Sequence, residues 1–209
     1  MKIVKLFLAG MFALFLAACN NTEALGDFSK EIDKSVKAEQ PVQEVGKNLQ
    51  KLENEKVQIF NKINKAKPEE IKGYADKLLK NADKRNEAIE EEIKVMNKSH
   101  EIYDSAKAKT KDIEDESQKK AVNGFIKVND NKYKKHSDLM DSYKDILNTE
   151  KEVFNYLKEP QPDGKVVNKK IKIVTKKYEQ FQKDTTSYAK MLRVVDQEKQ
   201  NITDILNGK

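Results

Sequence analysis

The sequence predicts an all-α fold: an elongated antiparallel up-and-down four-helix bundle, coiled-coil-like in its patterning, behind a cleaved lipoprotein signal peptide. Three observations predict it. Apolar residues recur at alternating steps of three and four over most of the chain, the period of an amphipathic helix. The four prolines, Pro41, Pro68, Pro160 and Pro162, leave long uninterrupted runs between them. Composition agrees, with 36% charged and 37% hydrophobic residues, seven glycines and no tryptophan in 209 residues. Such a balance suits long helices with one apolar stripe better than a turn-rich mixed fold.

In chain order the N-terminus comes first. Lys2 and Lys5 form a positive n-region, Leu6 to Leu16 is an apolar run broken only by Gly10, and Ala17, Ala18 and Cys19 follow. Small residues after such a run mark a secretory signal. Cys19 is the chain's single cysteine, so it has no disulfide partner, and a lone thiol in an oxidising space would be a liability. The order Leu16-Ala17-Ala18-Cys19 resembles the bacterial lipobox. That resemblance implies that Cys19 receives a diacylglyceryl group and that residues 1–18 are cut away. A transmembrane helix would need about 20 apolar residues, more than are present, whereas two acyl chains give stable anchoring. Loss of Lys2 and Lys5 lowers the formal charge from +6 to +4. The expected location is the outer face of the cell membrane. Arg85 and Arg193 are the only arginines among 41 basic residues, a bias that accords with a low-GC Gram-positive source.

Residues 19–26 read as a lipidated tether, because Asn20 to Gly26 is short and polar. Fully extended, that stretch reaches about 25 Å at about 3.5 Å per residue. One domain is expected over 27–209. Its first helical segment carries Phe28, Ile32 and Val36, then Val42, Val45, Leu49, Leu52, Ile59 and Ile63, with Lys56 in the remaining slot. Pro41 lies inside this segment and predicts a kink or short break near Glu39 and Gln40. Pro68, followed by Glu69 and Glu70, marks a fresh helix start.

The second seam runs through Ile71, Ala75, Leu78, Ala82, Arg85, Ile89, Met96, Tyr103, Ala106 and Ile113. Beyond Ile113 the same phase would present Ser117, Lys120, Gly124 and Lys127, so the chain must reverse near Asp112 to Ser117, with Asp115 or Ser117 available as a cap. A third seam runs from Val122 through Tyr133, Met140, Tyr143, Leu147 and Phe154 to Leu157. Glu159-Pro160-Gln161-Pro162-Asp163-Gly164 is an evident turn. The fourth seam follows at once, from Val167 through Ile171, Val174, Tyr178, Phe181, Tyr188, Leu192 and Val195 to Leu206. Four segments of about 40 residues, each about 60 Å long at 1.5 Å per residue, with short connections, make antiparallel neighbours.

No residue constellation in the chain carries recognisable catalysis. His100 and His136 are the only histidines, and no HExxH, GxxxxGK[ST] or GxSxG pattern occurs. No histidine follows a glutamate by three residues, as a di-iron bundle would need. No cofactor and no metal site is expected, and His136, within the third seam, reads as a hydrogen-bonded core histidine. Tyr133, Tyr143, Tyr178 and Tyr188 likewise lie on seams and read as core, with hydroxyls at the rim.

The basic stretches are the candidate binding residues: Lys132, Lys134 and Lys135, then Lys165, Lys169, Lys170, Lys172, Lys176 and Lys177. They suit attraction to a polyanion such as teichoic acid or anionic lipid. Nucleic acid is not an expected partner, because no stacking aromatics punctuate these runs and the chain is exported.

The lipobox LAAC, the polar start NNTEALGDFSKEID, and a Lys/Glu-rich four-helix remainder with the turn EPQPDG resemble the YkyA-type cell-wall-binding lipoproteins of Gram-positive bacteria, over essentially the whole chain. The resemblance implies an extracytoplasmic, membrane-anchored helical bundle and carries over no catalytic residue. The expected function is non-enzymatic binding of cell-wall polymer, peptidoglycan or teichoic acid, or of an envelope component. The alternative is a scaffold that binds a protein partner by helix pairing, whose mark would be an exposed apolar groove.

Overall fold

The structure, a computed structural model, describes residues 22–209. Cys19 and its lipobox lie outside the described residues. Five α-helices follow in order: α1 Glu23–Ala38, α2 Val42–Ile63, α3 Pro68–Lys107, α4 Glu116–Tyr156 and α5 Gly164–Leu206, with a 3-10 turn at Ala108–Asp112. The expected all-α bundle is what forms, with α1 and α2 together making its first rod.

Each boundary has a local cause. Pro41 cannot donate a backbone hydrogen bond, so α1 stops and α2 starts anew after a three-residue turn. Pro68 opens α3, and Glu70 reaches back to accept from the Lys67 amide at 2.9 Å. Asp115 caps α4 by accepting from the backbone amides of Ser117 and Gln118, each at 2.9 Å. Asp163 caps α5 at the Lys165 amide, 2.7 Å. At the far terminus Gly208 takes φ 72°, which lets the Lys209 amide turn back to the Asp204 carbonyl.

Packing makes α3 central. It lies against α1 and α2 on one side and α4 on another; α4 carries α5, and α5 meets α1 near the chain's two ends. Ion pairs set the register. Lys158–Asp76, Lys151–Asp83 and Lys144–Glu90, all at 2.6 Å, join α4 to α3 at seven-residue intervals. Lys170–Glu152 and Lys177–Asp145 do the same between α5 and α4. Exposed pairs contribute at most about 1 kcal/mol each, so their role is to select antiparallel alignment rather than to hold the bundle together.

Cohesion comes from two apolar clusters. One, at the end where α1 begins, contains Leu25, Phe28, Ile32, Phe125 and Ile202, with Phe28 and Phe125 edge-to-face at 5.9 Å. The other, in the opposite half, contains Leu78, Ile89, Tyr143, Leu147 and Phe154. Gln118 stands apart: both atoms of its amide are buried without a hydrogen-bond partner among the described residues.

Two expectations shift. The packed part begins at Glu23 rather than Asp27, because Leu25 is fully buried and lies three residues before Phe28 on the same stripe; residues 23–26 are helix, not tether. Val36 is 44% exposed whereas Ser35 is buried. Ser35 replaces it in the seam because its carbonyl accepts from the Ser99 hydroxyl at 2.9 Å.

Midway along the far half, the core is ionic. Arg85 of α3 is fully buried. Its guanidinium donates to Glu53 of α2 at 2.9 Å, to Glu150 of α4, and through Nε to Asn81 at 2.9 Å. Lys56 of α2 bridges the same two carboxylates, at 2.5 Å to Glu53 and 3.0 Å to Glu150, and donates to the Tyr178 hydroxyl of α5 at 2.7 Å. Tyr143 adds a bond to Glu53. All four rods therefore meet in a quartet with two positive and two negative charges. Burial alone would raise the Glu53 carboxyl, yet Arg85 and Lys56 reverse this and hold it below the usual carboxylate range. Burial likewise opposes the Arg85 charge, and Glu150, foremost among the groups that reverse this, keeps it ionised. The Tyr143 and Tyr178 hydroxyls are pushed up, above all by burial, and stay neutral donors. They do not reach the rim.

Two predictions follow from these contacts. Arg85→Met leaves two carboxylates facing one lysine and is expected to lower stability by about 3–5 kcal/mol; Arg85→Met with Glu150→Met keeps Glu53 and Lys56 as a neutral pair and should recover more than half of that loss in urea unfolding. A chain starting at Asp27 should be less stable than one starting at Thr22 by about 1.5–3 kcal/mol, the contribution of one buried leucine, as read from the same unfolding midpoints.

Candidate functional site

The nine lysines singled out by the sequence do not form one surface. Lys132 is the clearest departure from expectation: it is buried, and its ammonium lies 2.5 Å from Glu39 and 4.5 Å above the Tyr133 ring. The cause is the break at Pro41, which ends α1 with Glu39 placed against α4. Ser99 completes this polar layer by bonding Glu39 at 2.7 Å and Tyr133 at 2.7 Å. Lys132 therefore belongs to the core and not to an anion-binding face.

Lys134 is exposed at the rim of a cleft between α3 and α4, and Lys135 is half-buried beside Asp138 and Asp184. Both sit at the level of Tyr188 on α5, well away from the lysines near its start. Lys170 and Lys177 are bridged to Glu152 and Asp145. Lys165, Lys169, Lys172 and Lys176 remain. Each is exposed, and none has an ion pair among the described residues. Their 4-3-4 spacing puts them in one file on α5, on the face turned away from α4.

The α3/α4 cleft, about 670 Å³, is the other candidate. Ile93, Met96 and Met140 line its apolar part, and both histidines border it. His136 is engaged, with Nε2 3.0 Å from Glu92. His100 stacks on Tyr133 at 4.3 Å between ring centres and is partly exposed. Burial first, then the nearby Glu39 and Glu92 carboxylates, push up the Tyr188 hydroxyl; burial and Glu39 do the same to Tyr133 although Ser99 opposes them. Both hydroxyls are neutral at ordinary pH. No hydroxyl in the cleft is paired with a histidine as a nucleophile would be. Among the described residues no cluster of three His, Cys, Asp or Glu side chains is placed to hold a metal ion.

Charge is unevenly distributed along the rod. The segments meeting at the end where α1 begins, 22–36, 100–130 and 194–209, contain fourteen acidic and ten basic residues. Those at the opposite end, 52–85 and 145–178, contain eleven acidic and seventeen basic ones. The stretch Gly164 to Tyr178 alone has six lysines and no acid. Density marks these lysines in the sequence but not which of them are paired, since the partners of Lys170 and Lys177 on α4 lie 18 and 32 residues away. Glu150 was the missed buried anion; its position in the gap between Leu147 and Phe154 was the available signal.

Among the described residues no helix is long and apolar enough to cross a membrane. A solved structure of a conserved protein of unknown function from Staphylococcus aureus is similar to this one, with a TM-score of 0.76 and 29% identity, covering 85% of this chain and 91% of that one. The uncharacterized lipoprotein YkyA of Bacillus subtilis (strain 168) is 22% identical over 195 residues, 92% of this chain and 87% of the relative. The YkyA family model matches residues 23–205. Because that match takes in all five helices almost end to end, the chain belongs to the YkyA family, described as "Putative cell-wall binding lipoprotein".

Proposed function

We propose that the protein is a non-enzymatic lipoprotein, held at the outer face of the cell membrane through Cys19, whose bundle presents a basic far half to an anionic polymer of the cell wall. One observation carries the reading: Lys165, Lys169, Lys172 and Lys176 of α5, exposed and without an ion pair, lie at the end of the rod opposite the start of α1. Cys19 precedes Glu23 by four residues, so the linking chain spans at most about 14 Å at about 3.5 Å per residue. α1 then leads away from the membrane, and the α4–α5 turn stands about 60 Å further out at 1.5 Å per helical residue. The excess of acid at the near end is repelled by anionic lipid, while the basic end attracts polyanions beyond it. The family's cell-wall description supports the same assignment. The scaffold alternative draws less support, because among the exposed large apolar residues Val36, Val57 and Val194 stand singly, and only Val166, Ile171 and Ile173, near the start of α5, lie close together in the chain.

Two outcomes test this. Non-lipidated Cys19→Ser protein should co-sediment with purified walls at about 50 mM salt and be released as salt rises towards 500 mM, where the screening length falls to a few ångströms; absence of retention at low salt would overturn the binding half. In cells, Cys19→Ala should abolish incorporation of labelled lipid, and unchanged labelling would refute the anchor.

A further inference from the structure

We infer that the outward face of α5 is a track for a linear phosphodiester polymer, with Lys165, Lys169, Lys172 and Lys176 as its contacts. This rests on the wall-binding reading above and assigns it a surface and a ligand chemistry.

Three lysines of α4 that face α3 are matched: Lys144 with Glu90, Lys151 with Asp83, Lys158 with Asp76. Lys170 and Lys177, on the side of α5 that faces α4, are matched with Glu152 and Asp145. A bridged lysine must lose its carboxylate to take another anion, so those residues gain little by binding. The four in the file have no such partner and lie in a stretch without any acidic residue between Asp163 and Glu179. Their charges stand uncompensated along about 16 Å of helix at 1.5 Å per residue. Lys183 and Lys190, also exposed and in phase with Lys176, prolong the line.

Geometry selects the kind of anion. Successive lysines are separated by about 4.5–6 Å along the axis, an interval comparable to that between phosphates joined by a short polyol. A straight helix face accepts a linear chain lying parallel to it without any pocket. Lysine meets a phosphate as a compact point charge, whereas arginine offers a bidentate fork suited to planar carboxylates as well; the file holds no arginine. A lipid bilayer is the less favoured anion, because the file lies on the half of the rod opposite Cys19.

The shallow burial of this part of α5 agrees with such a role. Between Gly164 and Lys190 no residue of α5 is fully buried, and its deep contacts, Met191, Val195 and Ile202, all lie in the other half. The lysine-bearing half is positioned by Val167, Val174, Tyr178 and Phe181, which are only partly buried against the core.

The test compares two charge-matched variants of non-lipidated Cys19→Ser protein by calorimetric titration with deacylated poly(glycerol phosphate), after circular dichroism shows that both are folded. Changing Lys165, Lys169, Lys172 and Lys176 to Gln should weaken binding at least tenfold and flatten its salt dependence. Changing the paired Lys144, Lys151, Lys158 and Lys177 to Gln should weaken it less than threefold. Equal losses would reduce the effect to net charge and overturn the track. Tighter binding to a polycarboxylate of similar charge, or to phosphatidylglycerol vesicles, would overturn the ligand assignment. If the first variant is retained by intact walls as well as the parent is, the track is wrong while wall binding stands; a parent that fails to bind walls removes the wall-binding reading itself.

Discussion

A bundle of four rods buries one stripe from each, and in this protein the middle of the far stripe is ionic, so every rod must arrive at one level with its charge opposite the right partner. Arg85 contacts α2 through Glu53 and α4 through Glu150, while Lys56 joins the same two carboxylates and reaches Tyr178 on α5. Charges taken out of water are costly unless compensated. A slip of one helical turn would leave a carboxylate or a guanidinium alone in the core, an error far dearer than misplacing a leucine. Apolar seams tolerate such slips because their residues resemble one another. The quartet does not, and it is the interaction on which the alignment of the remaining structure depends.

The rest of the architecture agrees with that alignment. Rungs at seven-residue intervals join α4 to α3, in the register in which Arg85 meets Glu150, and α5 to α4, in the register in which Tyr178 meets it. A second polar layer, Ser35, Glu39, Ser99, Lys132 and Tyr133, ties the end of α1 to α3 and α4 where Pro41 breaks the first rod. That break is what lets Glu39 face inward. Acid and base absorbed in these layers and rungs are unavailable to a ligand, and the outward face of α5 carries a file of lysines that none of them engages.

Much of this was legible in the chain. The seams identified Lys56 and Arg85 as polar residues in apolar slots, and Asp115 as a possible cap, and all three hold those positions. The pairing was not legible, since nothing local says that Arg85 meets Glu150 across sixty-five residues. Lys132, which reads as one of a basic cluster, is a core residue because a turn ninety-three residues earlier delivers Glu39 to it. Leu25, which reads as part of a polar tether, is core because the stripe of α1 extends one turn earlier than its polar neighbours suggest.

The sequence by itself determined the helices, their ends other than the start of α1, and their antiparallel order. Those depend on the three-four period, on proline's missing donor and on side chains that cap a neighbour two or three residues away, all of them local causes. Only the tertiary structure decided which charges are spent inside the bundle and which are left for a partner. A lysine's fate depends on whether a carboxylate on another rod lies within about 4 Å of it, and that distance exists only once the rods have found their register. Lys132 and Lys169 look alike in the chain; one is buried against Glu39 and the other faces solvent unpaired.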